Sequence, residues 1–161
     1  MENMNSRNQD DRIWIFCSST ELSQDTQEHL LKSVSNFLMT WNNHGNQLFG
    51  KCWIELNQIL IVSLDEEKML ASGCSIDKLN RMIQQFSAEQ NIHLFDRLIV
   101  FYKENEALKT TPLSHFWALR KANVVTDSTY VLDTTITNLG EWNSSKWKEF
   151  QNSWHKKMFG R

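Results

Sequence analysis

Cys52-Trp53-Ile54-Glu55-Leu56-Asn57-Gln58-Ile59-Leu60-Ile61-Val62-Ser63-Leu64 decides the fold. Two β-type runs, 52–56 and 59–64, are separated only by Asn57-Gln58. So short a connection closes an antiparallel hairpin, because a parallel pair needs a crossover of about a dozen residues or more. Residues 59–62 are apolar at every position, the pattern of a strand covered on both faces.

Working outward, residues 12–17 (RIWIFC) form a β-type run ahead of an amphipathic helix. Asp25 and Glu28 have capping-box spacing, and Leu30, Leu31, Val34, Phe37, Leu38 and Trp41 fall on one helical face. Asn42-Asn43-His44-Gly45 ends that helix, the glycine supplying a left-handed cap. Beyond the hairpin, Ile76, Leu79, Met82, Ile83 and Phe86 mark a second helix, and residues 97–102 (RLIVFY) a fourth strand. The order β-α-β-β-α-β predicts an α+β fold of the ferredoxin-like type: a mainly antiparallel sheet with two helices packed on it. A C-terminal extension over 114–161 follows. Before it comes a fifth strand at 107–113, which Pro112 confines to an edge or ends early; within it come a short helix at 115–121 that Ser114 can cap and a β-run at 130–136. A final helix at 146–158 carries Trp147, Phe150, Trp154 and Met158 on one face.

With 161 residues, 40% hydrophobic and 22% charged, the chain reads as a disordered polar tail (1–11) and one domain (12–161). No apolar run approaches the ~20 residues that cross a bilayer, and the polar start lacks the apolar stretch of a signal peptide. Three cysteines outside any CxxC pair fit a reducing compartment, so a cytoplasmic location is expected. A net charge of −2 argues against a general nucleic-acid binder. His29, His44, His93, His115 and His155 occur singly, without metal-ligand spacing, so neither a metal nor a cofactor is predicted.

Gly45-Asn46-Gln47-Leu48-Phe49-Gly50-Lys51-Cys52 matches the phosphate-loop pattern GxxxxGK[ST] except at its last position. Residues 59–64 followed by Asp65-Glu66 resemble a Walker B strand, and 70–75 (LASGCS) an ABC signature. A phosphate loop leaves a strand and opens a helix, whose N-terminal amides meet the phosphates. Here Gly45 is expected to close a helix and Lys51 to lead into a strand, the reverse of what phosphates need.

Chemistry is best sought at Ser72-Gly73-Cys74-Ser75-Ile76-Asp77-Lys78, just ahead of the second helix. A thiol there feels the positive end of the helix, which favours the thiolate. Cys74 is therefore the candidate nucleophile, with Asp65 at the end of the preceding strand as a second catalytic candidate. Ser72, Gly73, Ser75 and Lys78 are the candidate anion-binding residues. The competing reading is structural: Ser75 or Asp77 caps the helix, Gly73 permits a tight turn, and Cys74 fills space. The tail adds Trp142, Trp147 and Trp154 among lysines, with a net charge of +4 over 146–161. Interleaved this way they suit single-stranded nucleic acid or an anionic membrane surface. One-sided helical spacing favours docking on the domain instead.

The segments ASGCSIDK (71–78), Leu94-Phe95-Asp96-Arg97-Leu98 and Ser153-Trp154-His155-Lys156-Lys157 together resemble a family of small bacterial proteins. These are mostly from the Bacteroidetes and are commonly labelled "ABC transporter ATPase". The resemblance runs from Arg12 to near the end, with GCSID its most specific element and SWHK the next. It implies ATP-linked transport and brings no catalytic residue with it. The leading expectation is an interaction or ligand-binding protein using the 72–77 loop, its partner a protein or a small anionic ligand. The alternatives are a thiol-dependent enzyme built on Cys74 and an ATP-binding transporter component.

Overall fold

A computed structural model describes residues 8–159. Helices α1 (Gln24–Thr40) and α2 (Gly73–Gln90) cover one face of a sheet made of β1 (Arg12–Cys17), β4 (Gly50–Glu55) and β5 (Ile59–Leu64). Two-residue strands β2 (Asn42–Asn43) and β3 (Asn46–Gln47) form a small hairpin between α1 and β4. A second sheet contains β6 (Ile99–Glu104), β7 (Ala107–Pro112), β8 (Tyr130–Leu132) and β9 (Trp147–Glu149). Short helices α3 (Leu113–Lys121), α4 (Leu139–Ser145) and α5 (Trp154–Phe159) complete the chain. Every strand pairing among the described residues is antiparallel, so the α+β class and the predicted, mainly antiparallel strand direction hold.

The strand order of the first sheet is β1-β5-β4, with the predicted hairpin at its heart. Its turn places Leu56 and Asn57 at φ 55° and 56°, the left-handed pair of a tight hairpin turn. β5 is buried along its whole length. Leu60, Val62 and Leu64 face α1 and α2, while Ile59 and Ile61 face the second sheet. β6, expected as the fourth strand of this sheet, instead lies inside the second one, between β7 and β8. The reason lies in its own side chains. Ile99 and Phe101 pack against the first sheet, and Val100 and Tyr102 against Phe116 of α3. A strand apolar on both faces needs cover on both, and a second sheet backed by α3 supplies it. The result is four layers: helices, sheet, sheet, helix.

Several local expectations need correction. Ser23 caps α1, its hydroxyl accepting from the Thr26 amide at 3.2 Å, in place of an Asp25–Glu28 box. That helix stops at Thr40, and Gly45 does not cap it. Instead His44 and Gly45 (φ 49° and 84°) turn the β2–β3 hairpin, a conformation glycine adopts without a Cβ clash. Pro112, not Ser114, precedes α3. The β-run at 130–136 is a strand only to Leu132. Residues 146–158 are no single helix: β9 pairs with β8, a 3-10 turn (Phe150–Asn152) follows, and α5 comes last. The sequence pattern also hides α4, whose Trp142 is completely buried.

The tail aromatics are docked as expected, though not along one helix. Trp142 donates from Nε1 to Glu55 Oε2 at 2.8 Å, and Trp147 packs in the core between the sheets. Lys146 pairs with Glu55 at 3.1 Å and Lys148 with Asp133 at 2.5 Å. Of the expected polar tail, residues 1–7 lie outside the described residues, whereas 8–11 are held against α4. The Gly140 and Leu139 amides donate to the Gln9 and Asp11 carbonyls at 2.7 and 2.9 Å. No helix among the described residues is long and apolar enough to cross a membrane.

Candidate functional site

The 72–78 segment is built as a helix start that turns its polar groups on itself. The Ser72 hydroxyl accepts from the Ser75 amide at 3.1 Å, and the Ser75 hydroxyl accepts from the Ser72 amide at 2.7 Å. This reciprocal capping box satisfies two of the orphan amides of α2. Ser75 is buried, and its carbonyl accepts a 2.8 Å bond from Trp41 Nε1, which ties α2 to the end of α1. Gly73 is not held in a left-handed turn, and a Cβ there would meet open space. Cys74 is exposed, as are Asp77 and Lys78. Asp65 is elsewhere, lining a cleft with Lys51 and Lys68. Residues 72–78 line none of four clefts of about 300–650 Å³ formed by the described residues.

Residues 45–52 run from a hairpin turn through β3 into β4, with Lys51 exposed on that strand. No helix opens at this stretch, so its amides do not converge as those of a phosphate loop do.

A broad concavity lies along β1. In the β1–β5 ladder the N–H of Ile13 points away from β5 and donates to the Thr137 carbonyl at 2.9 Å. By the two-residue period, the N–H groups of Ile15 and Cys17 point to the same outer edge. Residues 137–139 pair with β1 only at its beginning. From Ile15 onward the edge instead faces a cleft of about 650 Å³. Its walls are residues 94–97 on one side and 134–137 on the other, with Asn80 from α2 and Trp154 and Met158 from α5. Three segments distant in sequence thus meet here.

The side chains around the cleft are chemically quiet. Burial, with a smaller push from Asp96, raises the Cys17 thiol to about 12. The Asp96 carboxylate accepts from the Leu98 amide at 2.9 Å. Burial pushes Asp133 up, but hydrogen bonds from Lys148 and Thr135 overcome this and hold it below its ordinary value. His155, beside Trp154, is 1% exposed; burial lowers it to about 4 against a weaker opposing pull from Asp133. The Nε1 of Trp154 is buried without a hydrogen-bond partner. Sequence reading missed this site because nothing local marks a strand edge as free.

No group of three or more histidine, cysteine or carboxylate residues suited to a metal occurs among the described residues. No protein-family model, curated protein or solved structure matches the chain.

Proposed function

We propose that the protein is a binding module that accepts an extended peptide segment as an added strand along the outer edge of β1. The observation that supports this is the outward-facing backbone at Ile15 and Cys17 at the floor of the cleft. Donors and acceptors repeating every second residue are what another extended backbone matches. In a ferredoxin-like sheet a fourth strand lies beside β1. The β1-β5-β4 order reproduces the other three positions, and β6 is committed to the second sheet. The ligand would take the fourth position. Phe95, Trp154 and Met158 offer apolar contact to its side chains. The raised Cys17 and lowered His155 favour recognition over bond-breaking at this place. Neither a nucleophilic thiolate nor a histidine poised near neutrality faces the ligand. The phosphate-loop reading gains no such support, because its lysine sits on a strand.

A displayed library of random heptapeptides supplies the test. Selected binders should perturb the backbone amide resonances of Ile15 and Cys17 and protect both from hydrogen exchange. Asn80→Trp, which fills the cleft from α2, should weaken them at least tenfold. Failure to select any binder, or binders whose perturbations avoid β1, refutes the proposal.

A further inference from the structure

A second cleft, of about 300 Å³, lies where the chain enters β1 and shares no lining residue with the first. Asp11, Lys51, Asp65 and Lys68 line it, with the Phe49 ring as an apolar wall. Asp11 is only 5% exposed, and its Oδ1 is buried with no hydrogen-bond partner. A carboxylate oxygen taken out of water without a donor is costly, and native folds rarely retain one without a reason. Burial and the neighbouring Asp65 both raise its pKa, while Lys51 opposes them, so all three groups share one field. Asp65 uses one oxygen, Oδ1, to accept from the Glu67 amide at 3.1 Å. Among the described residues, Lys51, Lys68, Asp11 and Asp65 form no ion pair with one another. Lys68 instead rests over the Phe49 ring at 4.8 Å.

We infer that this cleft binds a small zwitterion, with its ammonium on Asp11 and Asp65 and its anionic end on Lys51 and Lys68. The lining selects the class. Two carboxylates and two ammonium groups line the cleft, a set that a small molecule carrying one charge of each sign complements. A phosphate ester would leave uncompensated negative charge beside Asp11 and Asp65. The volume stands at the bottom of the range for ligand pockets, which limits the ligand to a few heavy atoms. The ammonium would give Asp11 Oδ1 the charge-assisted donor it lacks. A free α-amino acid has this size and this charge pattern.

The standard α-amino acids, at millimolar concentration, are the probes, with acetate and methylammonium as single-charge controls. At least one amino acid should shift the amide resonances of residues 11, 51, 65 and 68 saturably, and both controls should bind at least tenfold more weakly. Asp11→Asn and Lys51→Met should each lower the affinity about tenfold or more, the loss of one charge-assisted contact. Lys51 is exposed on β4, so its variant decides the matter even if Asp11→Asn does not fold. No saturable shift at these four amides with any amino acid overturns the inference. Equal affinity of wild type and Lys51→Met overturns it as well.

Discussion

Acidification from pH 7 to pH 4 should cost this protein a large part of its stability through one side chain, His155. The imidazole is 1% exposed, stacks on Trp154 with ring centroids 3.8 Å apart, and meets Phe116 edge-on at 5.8 Å. Its Nδ1 is buried without a partner. Protonation would place a cation among rings with one nitrogen unable to shed its charge by hydrogen bonding, so burial lowers the pKa from 6.5 to about 4. In the unfolded chain the same histidine takes up a proton near pH 6.5. Below that pH the unfolded state holds more protons than the native state, and stability falls as pH falls. The loss begins near pH 6.5 and is complete below about pH 4. Each unit is worth about 1.36 kcal/mol, so the full loss is ~3 kcal/mol, and ~2 kcal/mol is already gone at pH 5. Against a total of about 5–15 kcal/mol for a domain, that is a substantial share.

Urea unfolding followed by tryptophan fluorescence reads this directly. With a slope of about 2 kcal/mol per molar, the midpoint should fall by about 1 M between pH 7 and pH 5. His155→Phe keeps a planar ring against Phe116 and removes the titration, so its stability should change far less over the same interval. The comparison of slopes isolates the histidine. Glu55 and Asp133, both held below their ordinary values, lose their stabilising partners only at lower pH. Asp11, whose raised pKa acts in the opposite direction, is common to both proteins. Equal pH slopes for wild type and variant would refute the reasoning.

Three further substitutions test separate parts of the structure by the same unfolding assay. Gly73→Ala should raise stability by up to about 1 kcal/mol, since the Cβ meets nothing and alanine is the better helix former; a loss would show that the glycine is needed for its backbone. Gly140→Ala should cost about 1–3 kcal/mol. Its Cβ would come within 2.9 Å of the Gln9 carbonyl, and limited proteolysis should then cut near residues 8–11. Leu56→Gly should gain about 1 kcal/mol by relieving a bulky residue at φ 55°, and an unchanged midpoint would deny that strain.

What was legible in the sequence and what was not divides along the range of the interaction. The β4–β5 hairpin could be read because two residues between two apolar runs leave one geometry, and the buried stripe of α2 because its period is local. The capping box of Ser72 and Ser75 was within reach for the same reason. The partner of a strand is not local information. Ile99–Tyr102 alternate between two cores, and nothing within RLIVFY says whether they lie beside β1 or beside β8. One clue was present: Ile13, Ile15, Cys17, Ile59 and Ile61 make the face of the first sheet away from its helices apolar, and that face needs a further layer. A two-layer ferredoxin-like domain leaves it uncovered. Once the second sheet is required, β6 is drawn into it, and the outer edge of β1 is left without a strand of its own beyond Ile13. The cleft follows from the same apolar pattern that demands the second sheet.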